Sequence, residues 1–257
     1  MVNGRLVPTP EARIPAWDPG ALTADGVYET MLVPAVDAVS TDAPAVVARD
    51  AHLDRLLSSL DALRLPAPPR RELERAIDAL LTASRAWLAL PRALRLTVTA
   101  ASITALLRPI RLARRAGLHL HRLDGARLLP RHKTLAWFPM ERLHPAGGDP
   151  RFEGVWLAPG DMVLEGLATN LFAIVDGVVR TAPTAAPILP GVTRARALAH
   201  LAMNGVAVDE RPFSWADLVR ANEAFATSST LPIAPILAVE GAPKDEGPVT
   251  RALRLAL

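Results

Sequence analysis

Between His52 and Ala100 the apolar period of this chain changes from that of a helix to that of a strand. From His52 to Leu65 (HLDRLLSSLDALRL), residues Leu53, Leu56, Leu57, Leu60 and Leu63 recur at spacings of three and four. That spacing draws one apolar stripe down an amphipathic helix. Prolines from Pro66 to Pro69 break it, and Arg71 to Trp87 repeats the helical pattern. From Arg92 to Ala100, Leu94, Leu96 and Val98 alternate with Arg95, Thr97 and Thr99, as in a half-buried strand. A second strand is predicted in Ala24–Val33, where a turn signal precedes alternating apolar residues. The first part of the chain is therefore mixed α and β.

Residues 102–123 carry charges without a clear period and read as a crossing between units. The expected division is a small N-terminal α/β domain over 1–108, an interdomain crossing over 109–122 and a larger domain over 123–257. In that larger part a strand is expected at Gly154–Ala158, and LFAIVDGVVRTA reads as a hairpin turning at Asp176-Gly177. Pro190-Gly191-Val192-Thr193 opens a helix reaching about Met203, with Thr193 as the expected N-cap and Asn204-Gly205 as the stop. Another short helix is expected after Ser214. A strand over Glu223–Thr227 then runs into the hydroxyl-rich turn Thr227-Ser228-Ser229-Thr230.

Composition removes several function classes. A chain of 257 residues buries about three quarters of its unfolded surface, and its length allows one large domain or two small ones. It has no cysteine, so disulfides, thiolate metal sites and cysteine nucleophiles are excluded. The pI is about 10.1 although the formal charge is only +3, because nearly all the basic side chains are arginines that hardly titrate. These are scattered rather than bunched with aromatics, so nucleic acid is not an expected partner. There is no apolar stretch long enough to span a membrane and no leader-like N-terminus. A soluble, cytoplasmic protein is expected.

Of the 29 basic residues only Lys133 and Lys244 are lysines. A Schiff base to a carbonyl needs a primary amine, which a guanidinium cannot supply. Lys244 lies in GAPKDEGP, a loop composition that predicts a solvated side chain. Lys133 has apolar and aromatic neighbours on its C-terminal side, in HKTLAW. A phosphate site needs backbone N–H groups at a helix start and hydroxyls. Gly191, Val192 and Thr193 offer the first, and Ser229 or Thr230 the second. Glu165, between an apolar run and Gly166, is a candidate to hold a cationic nitrogen.

Taken in order, DGVYET, HLDRL, HKTLAW, EGLATNLFAIVDG, ILPGVTR and DLVRANEAFATSST resemble the class IV, fold-type IV pyridoxal-phosphate enzymes over nearly the whole chain. That group includes branched-chain and D-amino-acid aminotransferases, (R)-selective amine transaminases and 4-amino-4-deoxychorismate lyase. The resemblance implies a two-domain α/β (α+β) fold whose larger domain has a mixed β-barrel-like core. It also implies pyridoxal 5'-phosphate as cofactor, an amino donor and a keto-acid acceptor as substrates, and a homodimer. By position, Lys133 matches the Schiff-base lysine, which also moves the substrate proton. Glu165 matches the acid on the pyridine nitrogen and Arg55 the arginine on the cofactor phosphate. Val192 and Thr193 match the backbone donors to that phosphate, with Gly191 beside them, and Ser229 and Thr230 match its hydroxyl turn. Asn170 matches an asparagine expected to have a supporting role, and Arg194 is expected to be a salt-bridge partner. Tyr28, the chain's one tyrosine, matches an aromatic residue lining the substrate side, and Thr30 lies beside it. Tyr28-Glu29 resembles the D-amino-acid aminotransferases, whereas Glu29-Thr30 is also common among the lyases. The expected activity is amino transfer between a D-amino acid or (R)-amine and an α-keto acid. The alternative is elimination of pyruvate from aminodeoxychorismate.

Three departures stand out. After Thr99 the family commonly carries an Arg-Gly segment that helps bind a substrate carboxylate, whereas this chain has Ala100-Ala101-Ser102. Arg108, Arg111 and Arg114 are the candidates to replace it. Leu135-Ala136-Trp137 stands where many members have Leu-Asn-Tyr, and Ala24 stands where a glycine is frequent.

Overall fold

A computed structural model describes residues 1–37, 43–110, 112–125, 127–136, 142 and 144–257. The chain forms two units. The first comprises Met1–Ile110 with the returning segment His132–Trp137, and the second comprises Arg111–Arg131 with Phe138–Leu257.

In the first unit the elements are α1 (Pro19–Thr23), β1 (Gly26–Val33), α2 (Arg49–Ala62), α3 (Arg70–Ala83), β2 (Arg92–Thr99) and β3 (Ile103–Pro109). The strands form an antiparallel sheet in the order β1-β2-β3. Its alternation separates two faces. Val27, Met31 and Val33 of β1 and Leu94, Leu96 and Val98 of β2 pack with Leu53, Leu56 and Leu60 of α2 and Leu73 and Ile77 of α3. Each fully buried leucine in that layer contributes about 1.5–3 kcal/mol. The opposite face carries Tyr28, Thr30 and Leu32, aligned with Thr97, Arg95 and Ala93 and then with Thr104, Leu106 and Arg108. The edge of β1 that β2 leaves open is taken by the returning segment. The Tyr28 amide donates to the Lys133 carbonyl at 2.8 Å and the Leu135 amide to the Gly26 carbonyl at 2.9 Å.

The second unit contains β4 (Leu118–Leu123), β5 (Phe152–Ala158), β6 (Met162–Gly166), β7 (Asn170–Val175), β8 (Val178–Thr181), α4 (Val192–Met203), β9 (Val208–Asp209), α5 (Trp215–Arg220), β10 (Glu223–Thr227), β11 (Ala234–Val239), β12 (Ala242–Pro243) and α6 (Pro248–Ala256). Strands β10-β11-β4-β5-β6-β7 follow one another around the sheet, and β10 also pairs with β7, which closes a six-stranded barrel. Leu118, Leu120, Val155, Val163, Leu171, Ala173 and Ile236 belong to one of its cores. On the other side, Phe172 and Phe225 stack at 4.6 Å, in a cluster with Ala197 and Leu201 of α4 and Leu253 of α6.

The 102–123 stretch differs from its reading as a crossing. It holds β3, which completes the first sheet, and β4, which belongs to the barrel. Both alternate: Ala105 and Leu107 point inward between Thr104, Leu106 and Arg108, and Leu118 and Leu120 point inward between histidines. Lys244 also differs from expectation. Instead of standing in solvent, its Nζ donates to the carbonyls of Val219 and Ala221 at 2.9 and 2.5 Å, satisfying orphan groups at the end of α5. Burial lowers its pKa. The Asp176-Gly177 hairpin forms as read, with both residues at positive φ, 52° and 76°.

Candidate active site

In the first unit, Lys133 is placed by main-chain pairing, because its carbonyl is fixed to Tyr28 and Thr134 bridges Val27. Its Nζ lies 4.8 Å from the Tyr28 ring centroid, over the ring. Arg95 also lies over that ring, with Cζ 3.7 Å from the centroid. Thr30 shares the face through its register with Arg95. The structure therefore brings Tyr28, Thr30 and Lys133 together, and adds Arg95.

Arg55 is on the helix side of the sheet. Its Nε and Nη2 each donate to Glu29 at 2.7 Å, and His52 Nδ1 lies 2.7 Å from Glu29 Oε2. Glu29 is completely buried. Burial alone would raise its pKa, but the Arg55 charge and the hydrogen bonds from His52 and Arg55 hold it at about 2. The glutamate thus fixes the plane and direction of the Arg55 guanidinium. Sequence reasoning named Arg55 without its buried partner. The signal was available, since Glu29 shares inward parity with Val27 and Met31.

The turn expected to hold a carboxylate clamp is closed internally. Asp18, fully buried, accepts from Thr99 Oγ1 at 2.9 Å, from the Gly20 amide at 2.8 Å and from Ser102 Oγ. Burial works against its charge, yet the hydrogen bonds from Ser102, Thr99, Gly20 and Ala21 lower its pKa overall. Ala24 takes φ 57°, the left-handed region where glycine is unstrained, which explains the glycine usual at that place.

In the second unit, Glu165 on β6 pairs across the hairpin with Asn170 on β7, and Asn170 pairs in turn with Thr227 on β10. Glu165 is only 2% exposed. Its Oε1 accepts from Arg127 at 2.7 Å and its Oε2 from the Leu189 amide at 2.9 Å. Asn170 Nδ2 donates to the Leu189 carbonyl at 3.0 Å. These two side chains pin the loop that leads into α4. Gly191 is needed there, because a Cβ at this position would meet Asn170 Oδ1 at 2.0 Å. Gly191, not Thr193, is the N-cap of α4, and no described side chain caps the helix. Thr193 lies inside the first turn and is buried, so its hydroxyl is not at the capping position. The Ser228–Leu231 turn follows β10, with the Ser228 amide donating to the Leu231 carbonyl at 3.1 Å; Ser229 and Thr230 are half-buried within it. The structure thus gathers Glu165, Asn170, Gly191, Val192 and Thr193 around one loop and sets the turn of Ser229 and Thr230 on the strand beside Asn170.

Arg194 donates to Glu210 at 2.7 Å and to the Ala182 carbonyl at 2.8 Å, and Arg114 is ion-paired with buried Glu153. Arg114 is therefore committed elsewhere. Arg111 and Trp137 lie outside the described residues. Arg127 is a further residue that sequence reasoning missed, since nothing in Gly125-Ala126-Arg127 announces a partner on β6.

Residues 26–239 match the family model for class IV amino-transferases. The chain belongs to the class IV aminotransferases. Members of this family depend on pyridoxal phosphate. The chain is 26% identical, over 98% of its length and 93% of the relative's, to a putative branched-chain-amino-acid aminotransferase of Methanocaldococcus jannaschii. A D-alanine aminotransferase of Listeria monocytogenes is 37% identical over 37% of this chain and 34% of its own. Among solved structures, the branched-chain aminotransferase of Thermoproteus uzoniensis shares the fold at a TM-score of 0.85 and 22% identity, over 100% of this chain and 92% of its own. A hypothetical aminotransferase from Mycobacterium tuberculosis, in an α-ketoglutarate and pyridoxamine-phosphate bound form, matches at a TM-score of 0.85 and 25% identity, over 99% and 96%.

Proposed function

We propose that this class IV aminotransferase moves an amino group between a D-amino acid or (R)-amine and an α-keto acid, with Lys133 as its attachment and proton-transfer group. The observation that carries the reading is the placement of Lys133 Nζ over the Tyr28 ring, its segment held by main-chain pairing along the edge of β1 opposite β2. Pyridoxal 5'-phosphate suits the residues present. Among the described residues no side chain caps the N-terminus of α4, and its amides are the donor type that a phosphate takes. Glu165 is a buried acid held in place from two sides, suited to a cationic ring nitrogen.

In this reading Gly191, Val192, Thr193, Ser229 and Thr230 hold the phosphate in the second unit, and Asn170 keeps their loop in shape. Arg55, oriented by Glu29 in the first unit, is the cation that the resemblance assigns to the cofactor phosphate. When bound, the cofactor provides the carbonyl for Lys133 and an electron sink for the substrate. Lys133 would move the proton between the substrate carbon and the cofactor carbon, which needs its neutral amine within reach of both. Tyr28 and Thr30 line the substrate side. A homodimer accompanies this reading and is checked by light scattering of the purified protein.

Thr30 on the same face as Tyr28 favours one second reading, pyruvate elimination from aminodeoxychorismate. Incubating the holoprotein with a donor and no acceptor separates the two. Loss of the visible cofactor band with formation of pyridoxamine phosphate supports transamination. Repeated pyruvate release from aminodeoxychorismate without that loss supports elimination and overturns the first reading.

A further inference from the structure

Glu153, the second residue of β5, is a carboxylate inside the second unit with only 1% of its surface exposed. Its partners belong to the turn that joins β6 to β7. Oε1 accepts from the Ala168 amide at 2.9 Å and from Thr169 Oγ1 at 2.8 Å, and Oε2 accepts from Arg114, which lies in the short helical turn Leu112–Ala116. The β6–β7 turn is also closed by its own backbone, the Gly166 amide donating to the Thr169 carbonyl at 2.8 Å, and the Leu167 amide donates to the Gly154 carbonyl of β5 at 2.8 Å. A Cβ at Gly166 would collide with Thr169 Oγ1 and Glu153 Oε1, so the backbone lies directly against the carboxylate.

Stability alone does not account for this pair. Two buried charges lose their hydration, and apolar side chains of similar volume often stabilise a core as well or better. An apolar side chain cannot, however, accept from two donors of one turn while Arg114 holds its other oxygen. The residues that the turn joins are Glu165 and Asn170, and they form the one register pair between β6 and β7 among the described residues. Glu165 is otherwise paired with Trp156 on β5, and Asn170 with Thr227 on β10. With a single rung between the two strands, their mutual direction depends on the shape of the turn. Both side chains then meet at Leu189, on its amide and its carbonyl.

We propose that Glu153, held by Arg114, is a positioning residue: by fixing the Gly166–Thr169 turn it aims the Glu165 carboxylate, and so governs how firmly the cofactor's ring nitrogen keeps its proton. This rests on the reading of Glu165 as the partner of that nitrogen. A charged partner favours the protonated form only at hydrogen-bond distance and in line with it, so a small change in the turn alters proton affinity without removing any group from the ring.

The test uses holoprotein reconstituted with pyridoxal phosphate isotope-labelled at the ring nitrogen, whose NMR resonance reports protonation and is followed against pH. Equilibrium dialysis gives the cofactor dissociation constant. Thr169→Val removes one donor to Glu153 and no charge, so its effect reports geometry. It should lower the proton affinity of the ring nitrogen about 3- to 10-fold, moving the titration midpoint down by about half to one pH unit, and weaken the cofactor by a similar factor. Glu153→Gln should do at least as much, and in the cofactor-free protein its Ala168 amide should exchange hydrogen at least about tenfold faster. Thr169→Ser keeps the hydroxyl and should stay within twofold of wild type. Ile236→Val, in the barrel core on β11, should lower the melting temperature and leave the midpoint and dissociation constant unchanged. If Glu153→Gln does not fold, the two Thr169 variants carry the comparison. The proposal is overturned if the midpoint and dissociation constant of the folded Thr169→Val and Glu153→Gln proteins stay within twofold of wild type, or if Ile236→Val moves them equally. A wild-type ring nitrogen found unprotonated at pH 7 would sink the Glu165 reading and the proposal with it, whereas unchanged exchange at Ala168 in Glu153→Gln overturns the proposal alone.

Discussion

Replacing Glu29 with glutamine tests whether the pair that orients Arg55 is also a main support of the first unit. In the native protein both carboxylate oxygens are engaged, by Arg55 twice and by His52 once, at 2.7 Å each, with the carboxylate completely buried. The folded pKa of about 2 against an ordinary 4.5 corresponds to about 3 kcal/mol favouring the charged form. The folded value is the lower one. The contribution is therefore fully present above pH 4.5 and is lost as the pH falls from there toward 2. Glu29→Gln removes the carboxylate from this buried pair, and breaking one side of such a pair costs about 3–5 kcal/mol. Urea unfolding at pH 7, followed by circular dichroism, should show a loss of about 3 kcal/mol. The difference between variant and wild type should shrink steadily between pH 4.5 and 2.5, because the wild type then gives up what the variant never had. A loss below about 1 kcal/mol, or a difference independent of pH, would refute the reasoning. Cofactor affinity should fall in the same variant, since Arg55 loses what aims it.

Two smaller changes probe the backbone. Ala24→Gly removes the left-handed strain at φ 57° and should raise stability by up to about 1 kcal/mol in the same assay, net of the added unfolded-state freedom of glycine. No gain would mean that the turn tolerates alanine without cost. Gly191→Ala puts a Cβ against Asn170 Oδ1 at 2.0 Å and should weaken the cofactor at least tenfold in equilibrium dialysis while the fold persists by circular dichroism. Unchanged affinity would detach this loop from the phosphate.

Much of the fold was legible because it rests on period. The stripe from Leu53 to Leu60 and the alternation of Leu94, Leu96 and Val98 each state which side is buried, and the structure buries them together. β3 and β4 were hidden because short strands next to an arginine-rich stretch offer few alternations, and an exposed Arg108 or a half-buried His119 breaks the apolar run. Of the candidate site, Lys133, Glu165 and the Gly191 loop were proposed from ordered blocks. Their partners were not. Asp18 reaches across to Thr99 and Ser102, and Arg127 to Glu165, over separations that no local pattern encodes. Arg95 was visible only as the polar side of a strand, and its place over the Tyr28 ring comes from the structure.

The most direct measurement uses the fact that the chain has only two lysines. Borohydride reduction of the coloured holoprotein, followed by peptide mass spectrometry, should leave one reduced pyridoxyl-phosphate group on the peptide containing Lys133 and none on that containing Lys244, whose amine is held by the Val219 and Ala221 carbonyls. A label on Lys244, or a cofactor-bearing protein in which Lys133 stays unmodified, would contradict the account.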